Sequence, residues 1–245
     1  MLLNAFALAV APGIAIMLAI YALDQRNREP LGLLIRCFLL GVLSVAIPLA
    51  VQTVAAMQGW RSSGGGLLQT TIYAFIIVGL SEEGGKFLVL RYFAYPKKAF
   101  DEPFDGIVYS IMIGMGFATA ENISYVYQFG MATGWARMFI SVPAHACFAI
   151  LMGYYTGLAK FIPQHRGTLL LTGLFWAVMF HGAFDFFLFI GDSIFQVVAA
   201  LLCLYIAVRL SIRAIRQHRA TSREWDRLRR ENENQQEQGI EGGQD

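Results

Sequence analysis

The sequence predicts an all-α, polytopic membrane protein of about seven transmembrane helices, and three observations predict it: an apolar excess, the spacing of the apolar runs, and the placement of Lys and Arg. Of 245 residues, 56% are hydrophobic and 15% charged. A soluble domain of this size does not need so much apolar surface for its core, so the excess must face lipid. A helix needs about 20 mainly apolar residues to cross the hydrocarbon. Seven runs answer to that length: 2–23, 31–57, 67–95, 106–129, 138–159, 168–190 and 194–210.

The first run lacks a basic leader and carries Pro12 and Gly13 in its middle, so it reads as a retained helix and not a cleaved signal peptide. The second and third runs are long enough to tilt or overrun the bilayer. Short polar breaks separate the runs, with no internal repeat and no soluble domain between them. Cys37, Cys147 and Cys203 each lie inside an apolar run and read as small packing residues. Gly153-Tyr154-Tyr155-Thr156-Gly157 fits the small-xxx-small pattern of close helix packing.

The net charge of +2 hides an uneven distribution. Loops one, three and five and the tail carry Arg26, Arg28, Arg91, Lys97, Lys98, Lys160, Arg166 and then the arginines from Arg209 to Arg230. Loops two and four carry only Arg61 and Arg137. Positive loops stay in the cytoplasm, so this asymmetry predicts seven spans with the N-terminus outside and the C-terminus inside. Residues 1–210 are then the membrane domain, and residues 211–245 a cytoplasmic tail, basic and then polar and partly disordered. The arginine stripe reads as a topology signal on a solvated helix and does not point to nucleic acid. His165 and His218, in loop five and the tail, read as incidental.

Ionisable side chains at membrane depth are costly and usually mark a pathway, a relay or a catalytic site. This chain has several: Ser81-Glu82-Glu83-Gly84-Gly85-Lys86, Ala120-Glu121-Asn122, Pro143-Ala144-His145, and His181-Gly182-Ala183-Phe184-Asp185. A rise of about 1.5 Å per residue puts Glu82, Glu121, His145 and His181 near one level, as a polar active site inside the bundle requires. Lys86, three residues from Glu83 and four from Glu82, can pair with one carboxylate and leave the other free. His181 and Asp185 are four apart, so the carboxylate can fix the ring and turn its second nitrogen to the cavity. His145 can donate to an oxyanion or join His181 on a metal.

Glu82-Glu83-x-x-Lys86, Asp105-Gly106-Ile107-Val108-Tyr109 leading to Gly116-Phe117-Ala118-Thr119-Ala120-Glu121-Asn122, Pro143-Ala144-His145-Ala146 and Phe180-His181-Gly182-Ala183-Phe184-Asp185 together resemble the PrsW family of intramembrane proteases. The match covers roughly residues 70–190. That family is similar to a wider group that includes the CAAX prenyl endopeptidases and bacteriocin-processing proteins. The wider pattern, a glutamate pair, a first histidine and a histidine followed four residues later by Asn or Asp, maps onto Glu82 and Glu83, His145, and His181 with Asp185.

The resemblance implies peptide hydrolysis in a bacterial inner membrane on a membrane-anchored protein, by analogy the first cut of an anti-sigma factor in a stress response. Glu82, Glu83, His145, His181 and Asp185 are the expected catalytic set, with Lys86, Glu121 and Asn122 supporting. In the simplest version Glu82 takes the proton of the attacking water. Either no cofactor or a zinc ion is compatible, the ion held by His145, His181 and one of Glu82 and Glu83; no His-Glu-x-x-His segment is present to support zinc directly. Two other classes use the same residue types: a proton- or ion-coupled transporter, and a non-catalytic scaffold on the same fold.

Overall fold

The computed structural model describes residues 2–24, 28–191 and 193–241, without the side chains of residues 2–4 and of most of 225–241. Arg26, residues 242–245 and the side chains of Arg229 and Arg230 lie outside that description. Among the described residues there are helices and connectors and no strand. Lipid offers no hydrogen-bond partner to the backbone, so each apolar run satisfies its own amides by winding into a helix.

The seven runs become seven helical rods. The first is α1 (Leu2–Leu23). The second is α2 (Leu31–Ser44) and α3 (Ala46–Met57), broken at Val45. Pro48 accounts for the break, because it has no N–H for the Ser44 carbonyl and its ring crowds that oxygen. The third begins as α4 (Gly66–Ile72), widens into a π-helix (Tyr73–Leu80), tightens into α5 (Ser81–Val89) and widens again over Leu90–Ala94. The fourth is α6 (Asp105–Phe129). The fifth joins a short α7 (Met131–Phe139) to α8 (Ser141–Phe161). The last two are α9 (Arg166–Phe189) and α10 (Ile194–Glu241).

Among the described residues, five stretches are long and apolar enough to cross a membrane by length and composition: Ala5–Leu23, Leu31–Met57, Met131–Phe161, Pro163–Phe189 and Ile194–Glu224. The other two rods carry the glutamates: Glu82 and Glu83 in the third, Glu121 in the fourth.

Helix α6 is the axis of the bundle, buried without interruption from Asp105 to Thr119 and packed by α1, α2 and α8. Helix α9 closes the far side against α8 and the π segment, and α10 lies along α8 and α9. The approach of α6 to α8 depends on Gly106, Gly153 and Gly157. A Cβ on Gly106 would collide with the Gly153 carbonyl oxygen, one on Gly153 with the Gly106 carbonyl oxygen, and one on Gly157 with the Pro103 carbonyl oxygen. The small-xxx-small pattern is thus a helix–helix contact at backbone range. Cys37 and Cys147 are buried, Cys203 half-buried, and all three are free thiols.

At the end of the bundle bearing the basic connectors, the segment leading into α6 is held from three sides. Asp105 Oδ2 accepts the Asp101 and Glu102 amides, each at 2.8 Å. Lys160 Nζ donates to the Tyr95 carbonyl at 2.6 Å, and Tyr95 Oη donates to that of Ala159 at 2.9 Å. His218 Nδ1 donates to the Pro103 carbonyl at 2.7 Å, its ring 4.3 Å from that of Tyr154, and Ser222 Oγ accepts the Phe104 amide at 3.3 Å. His218 is therefore not incidental: α10 continues past the apolar run and lays that ring, 1% exposed, onto the connector. A lone histidine on a basic helix carries no sequence sign of such a contact.

Glu29, in the first connector, is buried and hydrogen-bonded to the Asp105 carboxyl. Burial pushes its carboxyl from an ordinary 4.5 up to about 8, and the nearby Asp24, Asp101 and Glu102 push the same way.

Two predictions follow from this packing. Gly153→Ala places a methyl against backbone that cannot turn aside, and a loss of about 1–3 kcal/mol is expected in detergent thermal melts. For Glu29 the folded chain holds a proton that the unfolded chain releases at lower pH. Its contribution is therefore complete below about 4.5 and is lost as pH rises towards about 8. Glu29→Gln, which imitates the protonated acid, should flatten that part of the melting-temperature profile; an unchanged slope would count against the shared proton.

Candidate active site

Four helices deliver the ionisable groups to one pocket. Helix α5 supplies Glu82, Glu83 and Lys86, α6 supplies Glu121, α8 supplies His145 from its second turn, and α9 supplies His181 and Asp185. The π-helix before Ser81 adds residues to each turn and so rotates the face that follows, bringing the glutamate doublet onto the inner side. Ser81 Oγ donates to the Ile77 and Val78 carbonyls at 2.5 and 3.0 Å, satisfying acceptors where the turn widens. Glu82, Glu83, Lys86, His145 and His181 are all at most 4% exposed.

Lys86 chooses between the two glutamates. Its Nζ donates to Glu83 Oε1 at 2.6 Å and stands 3.9 Å from Glu82 Oε2. The ammonium also lies 4.0 Å from the Phe117 ring centroid and 3.2 Å from His145 Nδ1. Glu83 Oε1 takes a second contact, from His181 Nδ1 at 2.8 Å. Oε2 of both Glu82 and Glu83 is buried with no hydrogen-bond partner.

His145 has one ring nitrogen against a carboxylate and the other turned inward, whereas His181 faces carboxylates through both. His145 Nε2 lies 2.8 Å from Glu121 Oε2, a spacing that places a proton on that nitrogen and leaves Nδ1 as the acceptor facing Lys86. His181 Nδ1 points at Glu83, and its Nε2 lies 3.3 Å from Asp185 Oδ2 and 3.8 Å from Glu82 Oε2. Asp185 thus touches His181 as the i,i+4 spacing predicts. The expected open second nitrogen is instead occupied by Glu83, because α5 packs closely enough for its carboxylate to reach the ring. The two imidazoles stand edge to face at 5.2 Å, and Phe148 stacks on His181 at 5.0 Å.

Of the supporting residues, Glu121 stands at the pocket edge and Asn122 behind it, donating to the Ala9 carbonyl at 3.2 Å and accepting from Arg137 Nε at 3.0 Å. Sequence reasoning missed Arg137, which forms an ion pair with Glu121 at 2.8 Å, and the aromatic walls Phe117 and Phe148. Arg137 belongs by position to a loop, and apolar residues in a membrane helix are too common to single out two of them.

This donor set fits a divalent metal ion on four counts. Glu82, His145 and His181 each offer one ligand atom, all within 4.8 Å of one another. Glu82 Oε2 and Asp185 Oδ2 both gather about His181 Nε2, where a bound cation would compensate the two carboxylates. Lys86 and Arg137 face the four carboxyl groups of Glu82, Glu83, Glu121 and Asp185, a shortfall of two positive charges with all four ionised and both rings neutral. Each histidine also turns an N–H to a buried carboxylate, as ligand histidines usually do.

A sequence profile described as PrsW family intramembrane metalloprotease matches residues 29–211. The chain is 39% identical over 179 residues to a protein named Protease PrsW from Geobacillus kaustophilus, covering 73% of this chain and 77% of the relative. Proteins of the same name from Clostridioides difficile and Bacillus subtilis are 37% identical over 197 residues and 36% over 180; these cover 78% and 73% of this chain and 81% and 80% of the relatives. No solved structure matches. Four spaced motifs, their convergence on one buried pocket and a match over most of the length agree: the chain belongs to the PrsW family of intramembrane proteases, which are peptide hydrolases.

Proposed function

We propose that the pocket between α5, α6, α8 and α9 is where a membrane-anchored protein is cut, by metal-assisted hydrolysis. The observation that carries this reading is the inward convergence of Glu82, His145 and His181, whose donor atoms lie within 4.8 Å of one another. These three residues would hold the ion, with Asp185 beside His181 at its edge. Bound there, it would supply Lewis-acid polarisation of water and of the scissile carbonyl.

The remaining roles belong to the chain. Glu83 is fixed through Oε1 by Lys86 and His181 and has a bare Oε2, so it is the proton acceptor for the attacking water. Lys86, within 4 Å of both glutamates, balances their charge and stands ready to face an oxyanion. Phe117 and Phe148 keep the pocket dry, which strengthens each of these interactions.

The substrate class carried over from the family resemblance is a membrane-anchored anti-sigma factor, cut first at this site. The basic connectors and tail support an orientation in a bacterial inner membrane with the N-terminus outside and the C-terminus in the cytoplasm.

The test is metal analysis of protein purified in detergent, together with cleavage of a single-span model substrate. About one divalent ion per chain is expected, and a strong chelator should abolish cleavage. Glu82→Gln should lose both ion and activity, whereas Glu83→Gln should keep the ion and lose about 10²–10⁴ in rate. Cleavage unaffected by chelator in metal-free protein would overturn the metal reading; wild-type rates in both glutamine variants would overturn the site. Separately, Lys86→Met takes the lysine counter-ion from the buried Glu83 and leaves it only the His181 contact, and a destabilisation of about 3–5 kcal/mol is expected. The double variant with Glu83→Gln should recover most of it in the same melts.

A further inference from the structure

We propose that Arg137, on the nine-residue helix α7, is a positioning residue for this site: it holds Glu121 in place, and Glu121 fixes the ring of His145. The inference rests on the reading of His145 as a site residue and adds to it a helix that contributes nothing else to the pocket.

The geometry is a relay of three side chains from three helices. One oxygen, Glu121 Oε2, takes the hydrogen bond of His145 Nε2 and pairs as an ion with Arg137 Nη2, each at 2.8 Å. His145 is thereby held with its proton on Nε2 and its Nδ1 turned to Lys86 and the glutamates. Without Arg137, Glu121 would be a largely buried carboxylate facing only an imidazole. A carboxylate so placed either takes up a proton or turns toward water, and each course releases the ring.

Arg137 itself has little freedom. Its Nε donates to Asn122 Oδ1 at 3.0 Å, and its guanidinium lies 3.9 Å from the centroid of Tyr125. Glu121, Asn122 and Tyr125 fall within about one turn of α6, so the planar fork is gripped along its length; the single point charge of a lysine cannot reproduce that. The grip extends to α1, because Asn122 Nδ2 donates to the Ala9 carbonyl at 3.2 Å. Helix α7 is seated by Gly134, where a Cβ would crowd Leu8 and Val126, while Trp135 and Phe139 stack at 6.3 Å on its outer face, exposed to lipid. The position of a small helix at the rim thus sets the orientation of a ring inside.

A purely structural role for Arg137, pinning α7 to α6, predicts lost stability with unchanged chemistry, and the two roles separate in kinetics. Arg137→Gln, Arg137→Lys, Glu121→Gln and the Arg137→Gln/Glu121→Gln pair are assayed in detergent for kcat, KM, bound divalent ion and melting temperature, with His145→Gln as control. Arg137→Gln is expected to lose about 10–100-fold in kcat with KM within about twofold, and to retain the ion correspondingly less well. Arg137→Lys should fall between it and wild type. The pair should lose no more than the worse single variant, because both act through one ring.

A wild-type kcat and ion content in Arg137→Gln, whatever its melting temperature, or fully additive losses in the pair, would overturn the proposal. If Arg137→Gln does not fold, Arg137→Lys decides: a kcat within about twofold of wild type overturns it. An active His145→Gln would sink the site reading itself, a result distinct from any seen at Arg137.

Discussion

Ionised groups in hydrocarbon have no water to fall back on, and that one constraint organises the interior of this bundle. Arg137, Glu121, His145, Lys86, Glu83 and His181 form an unbroken chain of contacts, each 3.2 Å or shorter. Along it, donors and acceptors alternate so that no charge is left to solvent. Glu82 and Asp185 stand at the end of the chain beside His181 Nε2, where the alternation stops and acceptors outnumber donors. A membrane protein tolerates such an imbalance only where something positive is to be bound or a proton is to be moved. The chemistry proposed above sits at the place where compensation fails.

The rest of the fold makes that chain possible by removing bulk. Helices α6 and α8 touch at backbone range through Gly106, Gly153 and Gly157, and the glycine at 182, one residue from His181, sits against Phe75 of the π segment. Close approach matters because side chains of four helices must meet within hydrogen-bonding distance, whereas helices packed through large side chains stand 8–10 Å apart. The wide π turns act in the same direction. They cost regular hydrogen bonding and set which face of α5 looks inward, while Glu82 and Glu83, in the regular stretch between them, keep the spread of about 100° and so meet different partners.

Much of this was legible in the sequence, for reasons that are physical. Lipid imposes a length on every span, so seven apolar runs translate into seven rods. It also penalises each stray charge, so Glu82, Glu83, Lys86, Glu121, His145, His181 and Asp185 stood out against an apolar background. The pairing of Lys86 with one glutamate of the doublet and the i,i+4 contact of His181 with Asp185 follow from helix geometry, whereas the choice of Glu83 over Glu82 comes from the packing around them. What the sequence hid were contacts between residues distant in the chain that look ordinary in isolation. Arg137 resembles any loop arginine, His218 any tail histidine, and the π turns have no compositional mark.

These hidden contacts share a location, since both ends of α6 are clamped by elements that the run lengths alone would place outside the bundle. At the basic end the α10 extension grips Pro103 and Phe104, just ahead of Asp105. At the other end α7 grips Glu121 and Asn122. An axial helix held at both ends cannot slide or rotate to admit a substrate, so adjustment must come from the helices around it. The third rod is the natural candidate, because its π turns break the regular ladder on both sides of Glu82 and Glu83 while Lys86 and His181 hold the doublet to the pocket. Peptide hydrolysis within lipid needs a fixed frame and a wall that yields; here the clamped α6 is the frame, and the widened turns on either side of α5 are the parts able to give while Glu82 and Glu83 stay tied to the pocket.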